Sequence, residues 1–160
     1  MTKLIPLTKG KSTAVDAEWY DVLAGHKWLC CNGYAARRIV IDSEMRRHKM
    51  VYMHRIITGA HDGVEVDHRD GDKLNNTTAN LRIATRRQNA ANIPKTIGNI
   101  SRYKGLYQCK HNGRWRAQIC VSRKCIHIGY FADEVVAAKA WDKAAREHFG
   151  EFARLNFPNE

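Results

Sequence analysis

The chain has 160 residues, 44% of them hydrophobic, and 27 Lys and Arg against 16 Asp and Glu leave a formal charge of +11. The apolar share fills one ordinary core or two small ones and excludes a disordered chain, while the charge points to polyanionic partners, nucleic acid first. No apolar run reaches transmembrane length and MTKLIPLTKGKS is too short in apolar residues for a secretory signal, so a cytoplasmic protein with no membrane partner is expected.

Residues 1–60 carry short apolar or aromatic runs, KLIPL, HKWL, YAARRIVI and KMVYMH, broken by Gly, Asp and Ser. They read mostly as short strands, closed by a brief helix at MHRIITG. VEVDH and NLRIAT read as two strands flanking the loop DGDKLNNTTA, in which Asn75 and Asn76 are taken as turn formers. TRRQ at 85–88 fits a capping box, with Thr85 as N-cap and Gln88 reaching back, and predicts a helix that Asn92 and Pro94 end.

IPKTIGNIS, at 93–101, lies between two better patterned segments and predicts a boundary: a first domain over 1–93, a linker over 94–101 and a second domain over 102–160. Beyond it, KGLYQCK, RWRAQICV and CIHIGYF read as three strands, the first two joined by HNGR, where Asn-Gly is a hairpin signal. A helix follows from Asp133, with Val136, Ala140, Ala144 and Phe149 near one face and Trp141 as a core residue. Residues 101–131 hold seven Lys and Arg and no acid, whereas 132–160 hold four basic and six acidic residues, which makes the sheet the polyanion face. The five cysteines, Cys30, Cys31, Cys109, Cys120 and Cys125, are odd in number and form no C-x-x-C pair. Neither a disulfide framework nor a zinc site is expected of them, and they read as buried or strand-facing thiols.

The fold class is therefore α+β, with short strands leading to a strand–strand–helix unit, then a three-stranded antiparallel sheet on one helix. In the first unit Asp67 and His68 end one strand, Asn80 opens the next and Asn89 lies one turn into the helix. A carboxylate and an amide oxygen are hard ligands suited to one Mg²⁺ or Mn²⁺, with positions left for phosphate oxygens. A neutral histidine beside them can take a proton from water. Arg69, Lys73, Arg82, Arg86 and Arg87 suit a phosphate backbone.

DHRDGDKLNNTTANLRIATRRQNAAN resembles the HNH nuclease motif, in the variant whose last member is asparagine. The resemblance covers about residues 50–93 and implies a ββα-metal module. It implies His68 as general base, Asp67 and Asn89 as ligands of a single divalent metal, and Asn80 as the residue that positions the base's loop. MHRII, with His54, is similar to the helix preceding the motif in phage homing endonucleases, and implies a homing-type enzyme acting in a bacterial host cell. The implied substrate is double-stranded DNA, with no obligate protein partner evident. A non-catalytic DNA-binding regulator on the same fold is the alternative.

From Tyr103 to Pro158 the pieces Y-K-G, R-W-R-A-Q-I, I-G-Y-F, the helix around A-W-D and the ending L-N-F-P resemble the plant APETALA-two/ethylene-response-factor DNA-binding domain. The resemblance implies a sheet lying in the major groove with a helix behind it. Lys104, Arg114, Trp115, Arg116, Arg123 and Lys124 are the candidate contacts, Trp115 being as readily a core residue. Tyr107, Cys109, Cys120 and His127 stand where the plant domains carry arginine or tryptophan, so the plant target sequence does not transfer.

Overall fold

The computed structural model describes residues 1–42, 44–95 and 100–159, and the chain divides into two units, Met1–Thr85 and Arg86–Glu160. The linker expected at 94–101 falls partly on residues 96–99, outside the described residues. Among the described residues no helix is long and apolar enough to cross a membrane.

The first unit opens with an antiparallel pair, β1 (Thr2–Pro6) and β2 (Ser12–Asp16), followed by α1 (Ala17–Ala24). The helix is a departure from the mostly strand reading of this region. AEWYDVLA has no β-branched residue but Val22, so nothing opposes a helix, and Leu23 anchors it in the core. A three-stranded sheet follows, β3 (Leu29–Cys31), β4 (Tyr34–Asp42) and β5 (Arg47–Tyr52), with β4 in the middle. The expected brief helix is α2 (Met53–Thr58), ended by Gly59 in left-handed conformation at φ 66°, where glycine alone pays no steric cost. The expected strand pair is β6 (Glu65–His68) and β7 (Leu81–Ala84), antiparallel with Asp67 opposite Arg82.

Ile5, Leu7, Val15, Leu23, Trp28, Ala35, Met53, Ile57 and Leu81 form the core of this unit. The 74–76 segment lies along β2: Ala14 N donates to Leu74 O at 2.9 Å and Asn76 N to Ala14 O at 2.8 Å. The first hairpin thereby braces the loop that follows β6.

The second unit begins with α3 (Arg86–Ala91), directly after Thr85 as the capping pattern predicts. Then come β8 (Leu106–Gln108), β9 (Trp115–Val121) and β10 (Lys124–Phe131), an antiparallel sheet with β9 central, and α4 (Glu134–Phe149). Asp133 caps α4, its carboxylate accepting from Val136 N at 2.8 Å. The buried face of α4 is Ala137, Ala138, Trp141, Asp142 and Ala145, rotated from the expected one: Val136 is 54% exposed. The alanine-rich helix offers two apolar stripes, and the wide indole of Trp141 decides which one packs. Its Nε1 donates to Gln118 O at 3.1 Å, and a Cβ at Gly105, φ +78°, would overlap the indole. Asp142, 2% exposed, accepts from Asn156 N at 2.9 Å and Phe157 N at 2.8 Å, which fastens the L-N-F-P ending.

Cys120 and Cys125 form a cross-strand disulfide, which corrects the reading of both as free thiols. They are register partners across β9 and β10 because Ser122 and Arg123 turn the chain with φ of 51° and 65°. Such positive pairs usually call for Asn-Gly. Ser-Arg gives no such signal, so the register stayed hidden.

Candidate active site

β6 delivers Asp67 and His68 as neighbours, 3% and 5% exposed. Opposite Asp67 on β7, Arg82 donates to Oδ2 from Nε at 2.8 Å and approaches it with Nη2 at 2.7 Å. The guanidinium meets this buried carboxylate in fixed geometry and compensates it where water does not reach. Arg82 was expected at the phosphate backbone. With its side chain 9% exposed it serves Asp67 instead, a correction that follows from the cross-strand register.

The His68 ring sits edge-on to His54, centroids 5.4 Å apart, and tilted against Tyr34 at 5.9 Å. Its Nε2 is 3.4 Å from Asn76 Oδ1. Burial lowers the His68 pKa, and the Asn76 contact and the carboxylates of Asp70, Asp67 and Asp72 recover only part of that, so the net shift is downward. The ring is neutral near neutral pH, the form a general base requires.

Asn80 works on the loop after His68. Its Oδ1 accepts from Asp70 N at 3.0 Å, and its Nδ2 donates to Asp70 Oδ1 at 2.9 Å and Asn75 O at 2.8 Å. Its backbone carbonyl accepts from Arg69 N at 2.9 Å. Burial raises the pKa of Asp70, but donors from Asn75, Asp72 and Asn80 outweigh this and hold it below its ordinary value. Asn80 thus ties the loop at both ends, through Asp70 at one and Asn75 O at the other.

One residue gains a role that sequence reasoning missed. Asn76, read as a turn former, is fully buried, with Nδ2 donating to Thr13 Oγ1 at 2.7 Å. Asn75 does behave as a turn residue, its Oδ1 accepting from Thr77 Oγ1 at 2.9 Å. Nothing in an Asn-Asn pair separates the two; only the contact with β2 does. His54 is 9% exposed among Tyr34, Tyr52 and His68, and its Nδ1 is buried without a hydrogen-bond partner. Burial first, then the charges of His68 and Arg55, push its pKa down to about 4.

Asp67, His68 and Asn80 come together within the first unit, whereas Asn89 is half-buried on α3 in the second. Among the described residues no cluster of three or more His, Cys, Asp or Glu side chains forms. The Asp67 carboxylate is a hard oxygen donor of the kind that suits a cation keeping waters among its ligands.

Of the other candidate contacts, Arg69, Arg86, Arg87, Arg114, Arg123 and Lys124 are exposed. Arg116 lies over the Tyr107 ring on the outer sheet face, 5.4 Å from its centroid. Trp115 packs against the core beneath the sheet, the core alternative of its two readings. Lys104 is a further correction, for its Nζ donates to Ala91 O and Ile93 O, both at 2.7 Å. Burial, then the nearby charge of Arg154, lowers its pKa to about 8 against the opposing pull of Asp142. Its ammonium closes the end of α3 rather than facing outward.

The HNH endonuclease family profile matches residues 51–91, the span from β5 through α3 that contains Asp67, His68, Asn80 and Asn89. An uncharacterized HNH endonuclease of Acanthamoeba polyphaga mimivirus is 31% identical over 149 residues, covering 92% of this chain and 76% of the viral protein. Protein 3.8 of Escherichia phage T7 is 32% identical over 94 residues, 58% of this chain and 76% of its own length. An AP2/ERF and B3 domain-containing protein of Oryza sativa subsp. japonica is 47% identical over 58 residues, 36% of this chain and 16% of the plant protein. A relative matched along most of both chains, together with a profile centred on the Asp67–His68 strand, shows that this chain belongs to the HNH endonuclease family.

Proposed function

We propose that the protein is a divalent-metal-dependent endonuclease that hydrolyses phosphodiester bonds of double-stranded DNA, a phage homing-type enzyme whose second unit holds DNA against its sheet. The observation that carries this reading is the buried Asp67–His68 pair on β6, inside the segment matched by the family profile.

Neutral His68 takes the proton of the water that attacks phosphorus in line. Arg82 fixes the Asp67 carboxylate, and Asn80 keeps the loop of residues 69–75 from shifting as substrate enters. As the HNH motif implies, Asp67 and Asn89 are the candidate ligands of one Mg²⁺ or Mn²⁺, which when bound would polarise the scissile phosphate and steady the departing 3′ oxygen. The products are 5′-phosphate and 3′-hydroxyl ends. Arg69, Arg86 and Arg87 offer charge to the backbone beside the cleaved bond.

For the second unit, the partial likeness to the plant AP2/ERF protein and the seven-to-none excess of basic residues support a DNA-binding sheet. The outer face carries Tyr107 and Arg116, with Arg123 and Lys124 at the β9–β10 turn.

Supercoiled plasmid incubated with the protein and Mg²⁺ is expected to yield nicked circles carrying the ends named above. EDTA is expected to stop the reaction and added Mg²⁺ or Mn²⁺ to restore it. Cleavage that persists in EDTA would refute the metal site; intact plasmid under all of these conditions, with DNA still bound, would favour a non-catalytic regulator. The double variant R123E/K124E is expected to weaken DNA binding about tenfold or more and to reduce the slope of log affinity against log salt by about two. An unchanged slope in fluorescence anisotropy would move the DNA face elsewhere.

A further inference from the structure

Thr13, on β2, has one hydroxyl proton and two acceptors within reach: Leu74 O at 2.7 Å and the soft Met53 Sδ at 4.0 Å. The backbone carbonyl takes the proton, being the nearer and far stronger acceptor. Towards Asn76, 2.7 Å away, Thr13 Oγ1 can then only accept. Asn76 must therefore turn its Nδ2 to Thr13, which leaves Oδ1 facing His68 Nε2 at 3.4 Å. An amide oxygen donates nothing, so the facing ring nitrogen has to supply the hydrogen. With Asn76 and Thr13 both 0% exposed, competing water does not scramble this chain of donors.

We infer that Thr13 and Asn76 act as positioning residues that hold neutral His68 in the tautomer with hydrogen on Nε2, so that Nδ1 is the nitrogen that accepts the proton from water. The inference rests on His68 being the base, but the tautomer itself is a property of the free protein. The β1–β2 hairpin, outside the 51–91 family match, thereby sets the chemical state of the base. Leu74 O, anchored to Ala14 N as well, supplies the fixed end of the chain.

Nitrogen-15 shifts and ring couplings of His68 in the full chain, at mildly alkaline pH without metal, test the assignment directly. Wild type is expected to show a pyrrole-type Nε2 and a pyridine-type Nδ1. Thr13→Val, which keeps the shape but frees Asn76 to invert, and Asn76→Leu, which removes the acceptor, are each expected to lose that preference. Thr13→Ser is expected to keep it. In cleavage assays Thr13→Val is expected to lower kcat about tenfold with little change in KM. A wild-type ring with hydrogen on Nδ1 overturns the inference, as does an unchanged tautomer in Thr13→Val. Should Asn76→Leu fail to fold, Thr13→Val and Thr13→Ser decide alone. If wild type shows the Nε2-hydrogen form yet His68→Ala still cleaves DNA, the nuclease assignment of His68 fails while the tautomer stands.

Discussion

His68→Ala is expected to abolish DNA cleavage, by about a thousandfold or more, while leaving DNA affinity nearly unchanged. Proton transfer by a positioned base contributes about 10²–10⁴-fold, and the neighbouring Asp67 carboxylate is not placed to replace it. Arg82 occupies its neighbour Asp67, and Asn76 is a neutral amide. Binding is expected to survive because the arginines proposed for phosphate, Arg69, Arg86 and Arg87, are exposed and distinct from the buried ring. His68→Gln, nearer in volume and able to keep a polar contact with Asn76, separates lost chemistry from lost packing against Tyr34 and His54. Cutting at the wild-type rate in either variant, measured by single-turnover nicking, would remove His68 from the base role.

Acidification from about pH 6.5 to about pH 4 is expected to cost the fold about 3 kcal/mol through His54 alone. In the folded chain His54 stays neutral until its pKa of about 4, whereas in the unfolded chain it takes up a proton near 6.5. The unfolded state therefore binds more protons between those values, so stability is complete above the upper one and lost as pH falls toward the lower. His68, also shifted downward, adds in the same direction. Asp16 and Asp70, with pKa values held below 3.8, lose their contribution only in the more acid range. Urea midpoints followed across pH check this, with His54→Phe as the comparison. The phenyl ring keeps the stack with Tyr52 at 5.5 Å but cannot titrate, so its profile is expected to be flatter. An equally steep profile in His54→Phe would show that another group drives the loss.

The Asp-His, Asn, Asn order was visible in the chain because strand, loop and helix signals all lie within about forty residues, and local spacing suffices to place such groups on neighbouring elements. The same holds for α4, whose Asp133 cap and alanine run are local features. Partner choice was not visible. Arg82 reads as a phosphate contact until β6 and β7 pair in register and set it opposite Asp67. Lys104 looks as solvent-facing as any lysine until its ammonium meets the carbonyls of Ala91 and Ile93. Cys120 and Cys125 join only through a Ser-Arg turn whose backbone geometry those residue types do not announce.

What the chain determines by itself is the list of reactive groups, the two patterned segments and the excess of positive charge. These depend on residue type and short spacing. The tertiary structure decides which of two adjacent asparagines is buried against His68, because that depends on β2, some sixty residues earlier, lending Ala14 and Thr13 to the loop. Hydrogen-bond direction in a buried chain follows from every member at once, and only folding brings the members together.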